Sequence, residues 1–375
     1  PLTLTRQIQD IRVGILTIRE KWELMLGLTS FDKKEDDYKD LERSVNIDEV
    51  IGDDVCFMIH GNVLPTPKLV KAILQLKNGE FIATSGGNSI AFRITKKEIA
   101  DKYKIKVGQA VRFKEEIKTI QYPWDIFQCN DWAIRQDFEL LSANRKSQPL
   151  SKTNKIIKPS RVFIEKGAKV EYAIINASAG PVYIGKDAEV MEGCIIRGPF
   201  AMGEKACLKM GAKIYGATTL GPHSVAGGEV KNSVLFGYSN KAHDGYLGDS
   251  VIGEWCNMGA GTSNSNLKNN ASDVKVWTPK GEMNAGIKCG VMMGDYSRTA
   301  INTAINTGTV IGVSCNVFGS GLTPKYIPNY SWGSEGVKRY EFEKAVLDIE
   351  DWKKLKGKEL SDDEKSILKY IFDKF

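Results

Sequence analysis

One segment of the 375-residue chain, between Asn240 and Thr262, carries the side chains best suited to chemistry. His243 lies in this segment, two residues after Lys241, and the chain has only three histidines. An imidazole can accept a proton near neutral pH, and a lysine can bind phosphate as a point charge. The segment therefore predicts a general base, although an isolated histidine can also be a bystander.

The part of the chain that must position this segment follows a six-residue repeat. Aliphatic residues, expected to point inward, recur at every sixth position, and mostly small residues follow four places after each. The first set is Ile184, Val190, Ile196, Met202, Leu208, Ile214, Leu220 and Ala226, and the second is Ala188, Cys194, Phe200, Ala206, Ala212, Thr218, Ser224 and Val230. This period is the signature of a parallel β-helix, in which three hexads make one triangular coil. We expect Gly185, Gly203 and Gly221 to allow the turns, because glycine tolerates backbone angles closed to other residues.

The repeat is interrupted once. Its phase is lost between Val230 and Ile287, and interruptions of this kind are where function tends to lie. The column should begin near Arg161, with Ile164 and Val170 as its first inward residues. After the interruption the inward positions are Ile287, Met293, Thr299, Ile305, Ile311 and Val317. A column with only a structural role is the alternative.

The first 142 residues predict an α/β domain. Val55–Ile59 is a short apolar run typical of a buried parallel strand. A helix should follow, with Thr66 as its cap and Pro67 in its first turn. Further strands are predicted at Phe81–Thr84 and Ser89–Arg93, and the alternation of strand and helix favours a partly parallel sheet.

The rest of the chain predicts a polar linker before the repeat and a helical tail after it. One helix should span about Lys338–Leu355, and a second should begin at Ser361 with a capping box completed by Glu364. The predicted divisions are an α/β domain, a linker, the β-helix and the tail, at residues 1–142, 143–160, 161–321 and 322–375.

Composition narrows the class of protein. The formal net charge of +6 comes without a long basic block, which argues against a nucleic-acid partner. No apolar run approaches the roughly 18 residues of a membrane span. The seven cysteines have no paired spacing and indicate a reducing compartment, so we expect a cytoplasmic protein. The sequence begins at Pro1 rather than at methionine, and we expect further residues upstream.

Several motifs carry a resemblance to a known family. They are Pro1–Arg6, Asp10–Trp22, Gly61–Pro67, Tyr122–Phe127, Asn240–Asp249 and Met258–Thr262. These stretches resemble the bifunctional N-acetylglucosamine-1-phosphate uridylyltransferase/glucosamine-1-phosphate N-acetyltransferase family, and most closely its shortened bacterial branch. The resemblance implies an α/β nucleotidyltransferase-like domain, then a left-handed parallel β-helix of hexapeptide repeats, then a helical tail.

The resemblance implies an N-acetyltransferase that uses acetyl-CoA and an amino-sugar 1-phosphate. His243 takes the place of the general base, since the attacking amine must lose a proton. Lys241 and Tyr246 would hold the sugar phosphate. The other site residues that the resemblance implies are Asn257 and Asn266 for the acceptor or acyl group, and Asp295 and Arg298 for the cofactor. It also implies a homotrimer with acyl-CoA between neighbouring prisms, working in UDP-N-acetylglucosamine biosynthesis for the cell wall.

Three departures from the family pattern leave the acceptor sugar open. The interval between Lys241 and His243 is one residue shorter than usual. Pro222–Ala226 replaces an arginine-rich segment, and Asn266–Asn269 replaces an Asn-Tyr-Asp-Gly sequence. Loss of an arginine removes bidentate hydrogen bonding to phosphate, which Lys268 restores only in part.

The first domain resembles the nucleotidyltransferase half of the family, which uses Mg²⁺ and a nucleoside triphosphate such as UTP. The candidate residues for this site are Arg6, Arg12, Arg19 and Asn62. The glycine-rich loop that cradles phosphates in the family would precede Pro1. Asn62 stands where the family has a metal-binding aspartate, and a neutral amide is a poorer Mg²⁺ ligand. Structural ion pairs at a sheet edge are the alternative role of the arginines.

Two other functions stay open from the sequence. The first domain could be the working enzyme, a UDP- or dTDP-sugar pyrophosphorylase that the column only trimerises. The chain could instead be a non-enzymatic scaffold that binds sugar nucleotides. A β-helix carbonic anhydrase is disfavoured, because catalytic zinc needs three protein ligands and His60 lies outside the repeat. No metal site is predicted in the repeat.

Overall fold

The computed structural model describes residues 1–33, 44–45, 55–95, 108–336 and 338–375. Contacts between these residues define two compact units. The smaller unit comprises residues 6–11 and 16–121, and the larger comprises residues 1–5, 12–15 and 122–375. No helix among the described residues is long and apolar enough to cross a membrane.

The described residues of the smaller unit form a four-stranded sheet, a short pair of strands and two helices. Its elements are a 3-10 turn (Ile8–Asp10), α1 (Ile18–Leu26), β1 (Asp32–Lys33), β2 (Ser44–Val45), β3 (Val55–Ile59), α2 (Pro67–Leu74), β4 (Phe81–Ala83), β5 (Ser89–Thr95) and β6 (Ala110–Arg112). The sheet has the order β3-β5-β4-β6, in which β4 and β6 are parallel and the other pairs antiparallel. The partly parallel sheet is therefore confirmed. The prediction of a buried parallel strand at Val55–Ile59 is wrong, because β3 is an antiparallel strand at the edge of the described sheet, and residues 56–59 are only half-buried.

Both helices of this unit begin at threonine caps. The hydroxyl oxygen of Thr66 accepts a hydrogen bond from the N–H of Leu69, and Pro67 occupies the first turn of α2, as predicted. Thr17 caps α1 through a capping box with Glu20. Such caps satisfy N–H groups that have no partner inside the helix, and they fix where each helix begins.

The larger unit is built around a three-sided column of parallel strands. Face 1 consists of β7 (Lys155–Ile157), β10 (Ile174–Asn176), β13 (Ile195–Arg197), β16 (Lys213–Tyr215), β19 (Glu229–Lys231) and β22 (Tyr246–Gly248). Face 2 consists of β8 (Val162–Ile164), β11 (Val182–Ile184), β14 (Phe200–Met202), β17 (Thr218–Leu220), β20 (Val234–Gly237), β23 (Val251–Glu254), β28 (Met292–Met293), β31 (Val310–Ile311) and β33 (Tyr326–Ile327). Face 3 consists of β9 (Lys169–Val170), β12 (Glu189–Val190), β15 (Cys207–Leu208), β18 (Val225–Ala226), β21 (Asn240–Lys241), β24 (Asn257–Met258), β29 (Arg298–Thr299) and β32 (Asn316–Val317). The predicted left-handed parallel β-helix is confirmed.

Four further strands belong to this unit. A short parallel pair is formed by β25 (Ser263–Asn264) and β30 (Ala304–Ile305). An antiparallel hairpin is formed by β26 (Lys275–Thr278) and β27 (Gly281–Asn284). The hairpin lies in an insertion between two coils and packs through the ring of Trp277, which stacks on Tyr326 with centroids 3.6 Å apart.

The interior of the column is lined by the residues that the six-residue repeat predicts. Every member of the two sets between Ile184 and Val230 is buried, and Ile164 and Val170 are buried as well. Each aliphatic side chain removed from water in this way contributes about 1.5–3 kcal/mol. Stacking of the coils is therefore the main source of stability, because each coil covers the apolar edge of the next.

The interruption of the repeat is shorter than the sequence predicts. Buried residues continue to line the column after Val230, at Leu235, Lys241, Leu247, Ile252 and Met258. Their spacing is five or six residues because some corners are shorter by one. Only residues 265–288 leave the column. Ile287 lies in this insertion and is 55% exposed, so its prediction as an inward residue is wrong. The later inward positions are buried as predicted, at Met293, Thr299, Ile305, Ile311 and Val317.

Close stacking of coils, rather than the turn angle, explains the corner glycines. A Cβ added to Gly221 would lie 1.6 Å from the carbonyl oxygen of Phe236 in the next coil. The left-handed backbone falls two positions after each glycine, for example at Lys205 (φ +53°) and His223 (φ +57°). The prediction that Gly185, Gly203 and Gly221 supply unusual backbone angles is therefore wrong.

A long helix, α3 (Pro123–Ser142), belongs to the larger unit and packs on face 2. The buried amide of Asn130 accepts from the N–H of Gly14 and donates to the carbonyl of Ala217, both at 2.7 Å. The carboxylate of Asp137 accepts from the N–H of Ile15 at 2.7 Å. Buried polar groups of α3 thus join it to residues 12–15 and to the column.

The division of the chain at residues 142, 160 and 321 remains a prediction. β7 lies within the predicted linker, although it is already the first strand of face 1. The 3-10 turn Pro159–Arg161 also begins within the predicted linker. The column therefore takes up residues whose polar, basic composition is typical of a linker.

The tail forms two helices, α4 (Phe342–Lys354) and α5 (Asp362–Lys374). α5 begins at the predicted capping box of Ser361 and Glu364. Lys353 is 4% exposed, and its ammonium donates to both carboxylate oxygens of Glu364 at 2.6 Å. The hydroxyl of Tyr296, at a corner of the column, donates to the same carboxylate at 3.0 Å. This network joins the two helices to the column.

The Glu364 carboxylate should make the stability of the tail depend on pH. Burial by itself raises the pKa of Glu364, but the hydrogen bonds from Lys353 and from the N–H of Ser361 hold it below its usual value. A lowered pKa means that the carboxylate stabilises the fold above the unfolded pKa of about 4.3 and that this contribution is lost as the pH falls through the folded pKa. We expect Glu364→Gln to lower the free energy of unfolding by about 2 kcal/mol at pH 7, because it leaves a buried ammonium without its counter-ion. Below pH 4 the difference from the unaltered chain should shrink.

Urea titrations at pH 7 and at about pH 3 can measure this difference through the fluorescence of Trp255 and Trp352, which contact the lysine and arginine side chains at this junction. The control is Glu341→Gln, which removes an exposed ion pair with Lys344 and should change the free energy of unfolding by less than about 0.5 kcal/mol. Equal effects of Glu364→Gln and Glu341→Gln at pH 7 would contradict the prediction.

Candidate active site

His243 lies at the corner between β21 and β22, where the coil passes from face 3 to face 1. Its side chain is exposed, and its imidazole makes no hydrogen bond to another described residue. Its main-chain carbonyl accepts a hydrogen bond from the ammonium of Lys241. An imidazole in this position is open to solvent and has both nitrogens available for proton transfer, as a general base requires. Its role remains a prediction.

Three residues after His243, the ring of Tyr246 begins a polar cluster on face 1. The ring lies across Gly248, where an added Cβ would be 2.2 Å from the Tyr246 hydroxyl, so only glycine allows this position. The side-chain amide of Asn266 donates to the Tyr246 hydroxyl at 3.1 Å and also to the carboxylate of Asp249. The structure therefore brings together Tyr246 and Asn266, two of the predicted site residues.

Three further residues of the cluster lie in the two coils beneath. In register across face 1, Lys231 is paired with Gly248 and with Tyr215, and Glu229 is paired with Tyr246. The hydroxyl of Tyr215 donates to the carboxylate of Glu229 at 2.5 Å, and the ammonium of Lys231 lies 5.8 Å from the centroid of the Tyr215 ring. We call the following residues the face 1 cluster: Tyr215, Glu229, Lys231, Tyr246, Asp249 and Asn266.

Both phenols of the face 1 cluster keep their protons at neutral pH. Burial, and next the charge of Asp249, raise the pKa of Tyr246 well above its usual value. The hydrogen bond to Glu229, together with burial, raises the pKa of Tyr215 to about 12. The half-buried members of the cluster can therefore offer a lysine side chain, a carboxylate and uncharged hydroxyl groups to a polar ligand on this face.

The sequence gives little sign of Lys231, Tyr215 and Glu229 as site residues. The coils that carry them are sixteen and seventeen residues long at this face, since Lys213 pairs with Glu229 and Glu229 with Tyr246. A constant period of eighteen residues therefore places them out of register with Tyr246. Counting the shortened corner at Gly227–Gly228 would have aligned them.

Lys241, predicted to hold the sugar phosphate, occupies an inward position of the column and is 1% exposed. Its ammonium donates to the carbonyl of His243 at 2.5 Å. Burial lowers the pKa of Lys241 to about 8. A phosphate ligand must face solvent, so this placement does not bring the ammonium to the face 1 cluster.

Asn257 and Lys268 lie away from face 1. Asn257 is on β24 of face 3, where its side-chain oxygen accepts from the amide of Asn240 at 3.5 Å. Lys268 lies in the insertion, and its ammonium donates to the main-chain carbonyl of Asp273 at 2.6 Å. Neither side chain contacts Tyr246 in the described structure, so their predicted roles with the acceptor remain predictions.

The two residues predicted for the cofactor take part in internal contacts. Asp295 is buried at the corner between faces 2 and 3, and its carboxylate accepts from the N–H of Glu254 at 2.8 Å and from the hydroxyl of Thr5 at 2.6 Å. Arg298, on face 3, donates to a main-chain carbonyl of α4 at 3.2 Å, and its guanidinium lies 5.2 Å from the centroid of the Trp352 ring. Burial lowers the pKa of Arg298. A cofactor phosphate would have to compete with these contacts.

Two candidates for the nucleotidyl site are engaged in internal hydrogen bonds. The guanidinium of Arg19 pairs with Asp10 and Asp32, both at 2.5 Å, which is the structural ion-pair arrangement considered from the sequence. Nε of Arg12 donates to the carbonyl of Phe236 at 3.1 Å. Both guanidinium groups are therefore occupied within the protein itself.

The other two candidates are Arg6, which is buried, and Asn62, whose main-chain carbonyl accepts from the N–H of Ile120 at 2.9 Å. Among the described residues, no three His, Cys, Asp or Glu side chains come together as metal ligands. Mg²⁺ prefers several carboxylate oxygens, and Asn62 offers only a neutral amide. The described residues therefore do not fit a magnesium site.

Comparisons with known proteins agree with the two-part architecture. Residues 1–146 match the family model described as sugar nucleotidyl transferase. A bifunctional sugar-1-phosphate nucleotidylyltransferase/acetyltransferase of Sulfurisphaera tokodaii is 28% identical over 240 residues, which are 60% of this chain and 53% of that protein. The bifunctional protein GlmU of Methanocaldococcus jannaschii is 35% identical over 99 residues, 26% of this chain and 24% of the relative. The chain thus spans about half the length of the first relative and about a quarter of the second.

Two further matches concern acyltransferases. An uncharacterized acetyltransferase, YaiX, of Escherichia coli is 27% identical over 190 residues, 46% of this chain and 78% of that protein. A solved structure of an Arabidopsis UDP-N-acetylglucosamine acyltransferase is 16% identical, with a TM-score of 0.27, and the match covers 60% of this chain and 97% of that one. The likeness to the shortened bacterial branch remains a prediction. The resemblance to bifunctional nucleotidyltransferase/acetyltransferase proteins, which the sequence motifs indicate, is confirmed by the family model and these curated relatives.

Proposed function

We propose that this chain transfers the acetyl group of acetyl-CoA to the amine of an amino-sugar 1-phosphate, of the glucosamine 1-phosphate type. The observation that carries the proposal is the exposed imidazole of His243, which lies three residues before Tyr246 of the face 1 cluster. A base that is open to solvent beside a polar, partly cationic surface suits an amine attached to a phosphorylated sugar. The curated relatives, which include a bifunctional nucleotidylyltransferase/acetyltransferase and an uncharacterized acetyltransferase, support acetyl transfer.

The reaction needs one proton acceptor and one leaving group. The amine nitrogen attacks the thioester carbonyl, an N–C bond forms, and the C–S bond breaks. His243 accepts the proton that the nitrogen loses, and the coenzyme A sulfur leaves as a thiolate that takes up a proton. Proton transfer of this kind contributes about 10²–10⁴-fold to a rate.

The face 1 cluster is suited to the acceptor. Lys231 offers a point charge for the phosphate, and the protonated hydroxyl of Tyr246 can donate to its oxygens. Glu229 can accept hydrogen bonds from sugar hydroxyls or from an ammonium group, while buried Asp249 orients Asn266. A single lysine, without an arginine fork, selects for charge more than for the planar geometry of the phosphate.

We also infer a homotrimer of cytoplasmic chains, with acyl-CoA bound between neighbouring columns. Ile174 and Ile195 pair across face 1 as a short apolar stripe, and each is more than 40% exposed. An exposed apolar stripe of this kind marks an interaction surface. All seven cysteines are free thiols, which agrees with a reducing compartment.

A second candidate function is nucleotidyl transfer by the first part of the chain, from UTP to a sugar 1-phosphate. The match of residues 1–146 to the sugar nucleotidyl transferase model favours it. The internal ion pairs of Arg19 and the neutral Asn62 argue against it, because they leave few described groups for the nucleotide phosphates and for Mg²⁺.

An acceptor panel tests the proposed function. The protein is incubated with acetyl-CoA and one acceptor at a time: glucosamine 1-phosphate, galactosamine 1-phosphate, glucosamine, or N-acetylglucosamine 1-phosphate. We expect free thiol to appear with an amino-sugar 1-phosphate and not with the acetylated sugar, because the lone pair of its amide nitrogen is delocalised into the carbonyl group. A parallel assay follows pyrophosphate release from UTP, Mg²⁺ and N-acetylglucosamine 1-phosphate. Pyrophosphate release without thiol release would replace the first function by the second.

A further inference from the structure

Lys241 is a charged side chain among the inward residues of the column. It is in register with Ala226 on the strand beneath, and it is among the largest fully buried side chains of the described chain. The residue beneath it, Ala226, has only a methyl side chain. Burying an ammonium is unfavourable unless hydrogen bonds replace its water. The partners of this ammonium therefore indicate its role.

Its partners are main-chain carbonyls at two corners. Nζ of Lys241 donates to the carbonyl of His243 at 2.5 Å and to the carbonyl of Gly227, in the coil beneath, at 3.4 Å. Burial lowers the pKa of Lys241 to about 8, and the charge of Asp244 opposes part of this change. The side chain is therefore mostly an ammonium at neutral pH and donates to both corners.

Like the corners at 191–194 and 300–303, the corner that carries His243 lacks a main-chain bond that two of the equivalent corners have. In the corners at 209–212 and 259–262, the N–H of the last residue donates to the carbonyl of the first at 3.1 Å. In the corner at 242–245, all of which the structure describes, this bond is absent. The ammonium of Lys241 instead bonds the carbonyl of His243, in the middle of the corner.

We propose that Lys241 is a positioning residue, which holds the carbonyl of His243 from inside the column and thereby fixes the corner that presents the imidazole. This inference rests on the proposed function, in which His243 is the general base. Proton transfer needs the imidazole within hydrogen-bond reach of the amine, and a misplacement of about 1 Å can cost about 10²-fold in rate. Removing the Lys241 ammonium would leave the carbonyl of His243 without this bond from inside the column.

The test compares Lys241→Met with Leu208→Met. The first variant keeps an unbranched side chain inside the column and removes the donor. The second places methionine at another inward position, two coils beneath, and is the matched control. One readout is hydrogen exchange of the amides of Glu229 and Gly261, which donate to carbonyls of the 242–245 corner at 3.2 and 3.0 Å. The other is kcat and KM for acetyl transfer.

We expect Lys241→Met to speed exchange at both amides by at least about 10-fold, while amides between 184 and 220 keep their protection. We expect kcat to fall by about 10-fold or more and KM for both substrates to stay within about 2-fold. The control should change neither readout. If Lys241→Met does not fold, Lys241→Leu, which also lacks a donor and matches the inward leucines of the column, takes its place with the same readouts.

Each other outcome has a distinct meaning. Unchanged exchange at Glu229 and Gly261 overturns the proposal, whether or not the protein is active. Faster exchange with unchanged kcat shows that Lys241 holds the corner without serving catalysis, and this also overturns it. If the unaltered protein acetylates none of the acceptors, the proposed function fails, and faster exchange then shows only that the ammonium closes the corner.

Discussion

His243→Ala is expected to lower kcat for acetyl transfer by about 10²–10⁴-fold while KM for acetyl-CoA stays within about 2-fold. The attacking amine would then have to lose its proton to water. The fold should not change, because the imidazole is exposed and makes no hydrogen bond to another described residue. Initial rates of thiol release with glucosamine 1-phosphate measure the effect, and a circular dichroism spectrum checks the fold.

The control for this substitution is His223→Asn, at the other histidine of the column. His223 has a left-handed backbone (φ +57°), which asparagine tolerates, and its ring stacks on Tyr238 with centroids 4.6 Å apart. Burial, and next the charges of Lys205 and Lys356, lower the pKa of His223, so its removal changes no charge at pH 7. Turnover should stay within about 2-fold. Equal losses from both substitutions, or unchanged turnover of His243→Ala, would remove His243 from the mechanism.

The second large effect concerns the column itself. Gly221→Ala is expected to lower the free energy of unfolding by more than about 3 kcal/mol. The added Cβ would lie 1.6 Å from the carbonyl oxygen of Phe236 and 2.3 Å from its carbonyl carbon. Phe236 is in β20, which pairs with β17 on one side and β23 on the other, so the backbone cannot move away without breaking both pairings. Urea unfolding followed by circular dichroism measures the loss.

Gly211→Ala separates stacking from turn angle. Gly211 has a left-handed backbone (φ +71°), but no atom lies within 4 Å of an added Cβ. Alanine there meets only the backbone penalty, about 1–2 kcal/mol. If the two alanine variants lose the same stability, the turn angle rather than the contact between coils governs these glycines.

The interior of the column could be predicted because one apolar row fixes the phase of every coil. From Ile184 to Ala226 the row advances by six residues without a slip, and each member is buried. The insertion that contains Ile287 could not be predicted. Ile287 lies six residues before Met293 and so matches the repeat by chance, although the chain has left the column at that point. Corners that are one residue shorter also hide the repeat in the sequence. Before Leu235 and Ile252 they shift its phase, so the repeat looks interrupted although the column is continuous.

The candidate site was harder to predict than the fold. Tyr246 and Asn266 are twenty residues apart in sequence and meet because one coil separates them, which the family motif already implies. Lys231 and Tyr215 escape prediction because their coils are shorter than eighteen residues. The family resemblance assigns Lys241 to the sugar phosphate, because lysine binds phosphate as a point charge. Its actual partners are main-chain carbonyls, which leave no signal in the side-chain sequence.

Helix α3 has a consequence for how this protein can be inherited or recombined. It falls inside the stretch that matches the nucleotidyl transferase model, yet Asn130 donates to Ala217 on the column. If the gene were divided at residue 146, the N-terminal fragment would expose the Asn130 amide and the apolar side of α3. The C-terminal fragment would expose the carbonyl of Ala217. Recombination at residue 146, where the match to the family model ends, would therefore destabilise both products. Stable chimaeras should keep α3 together with the β-helix.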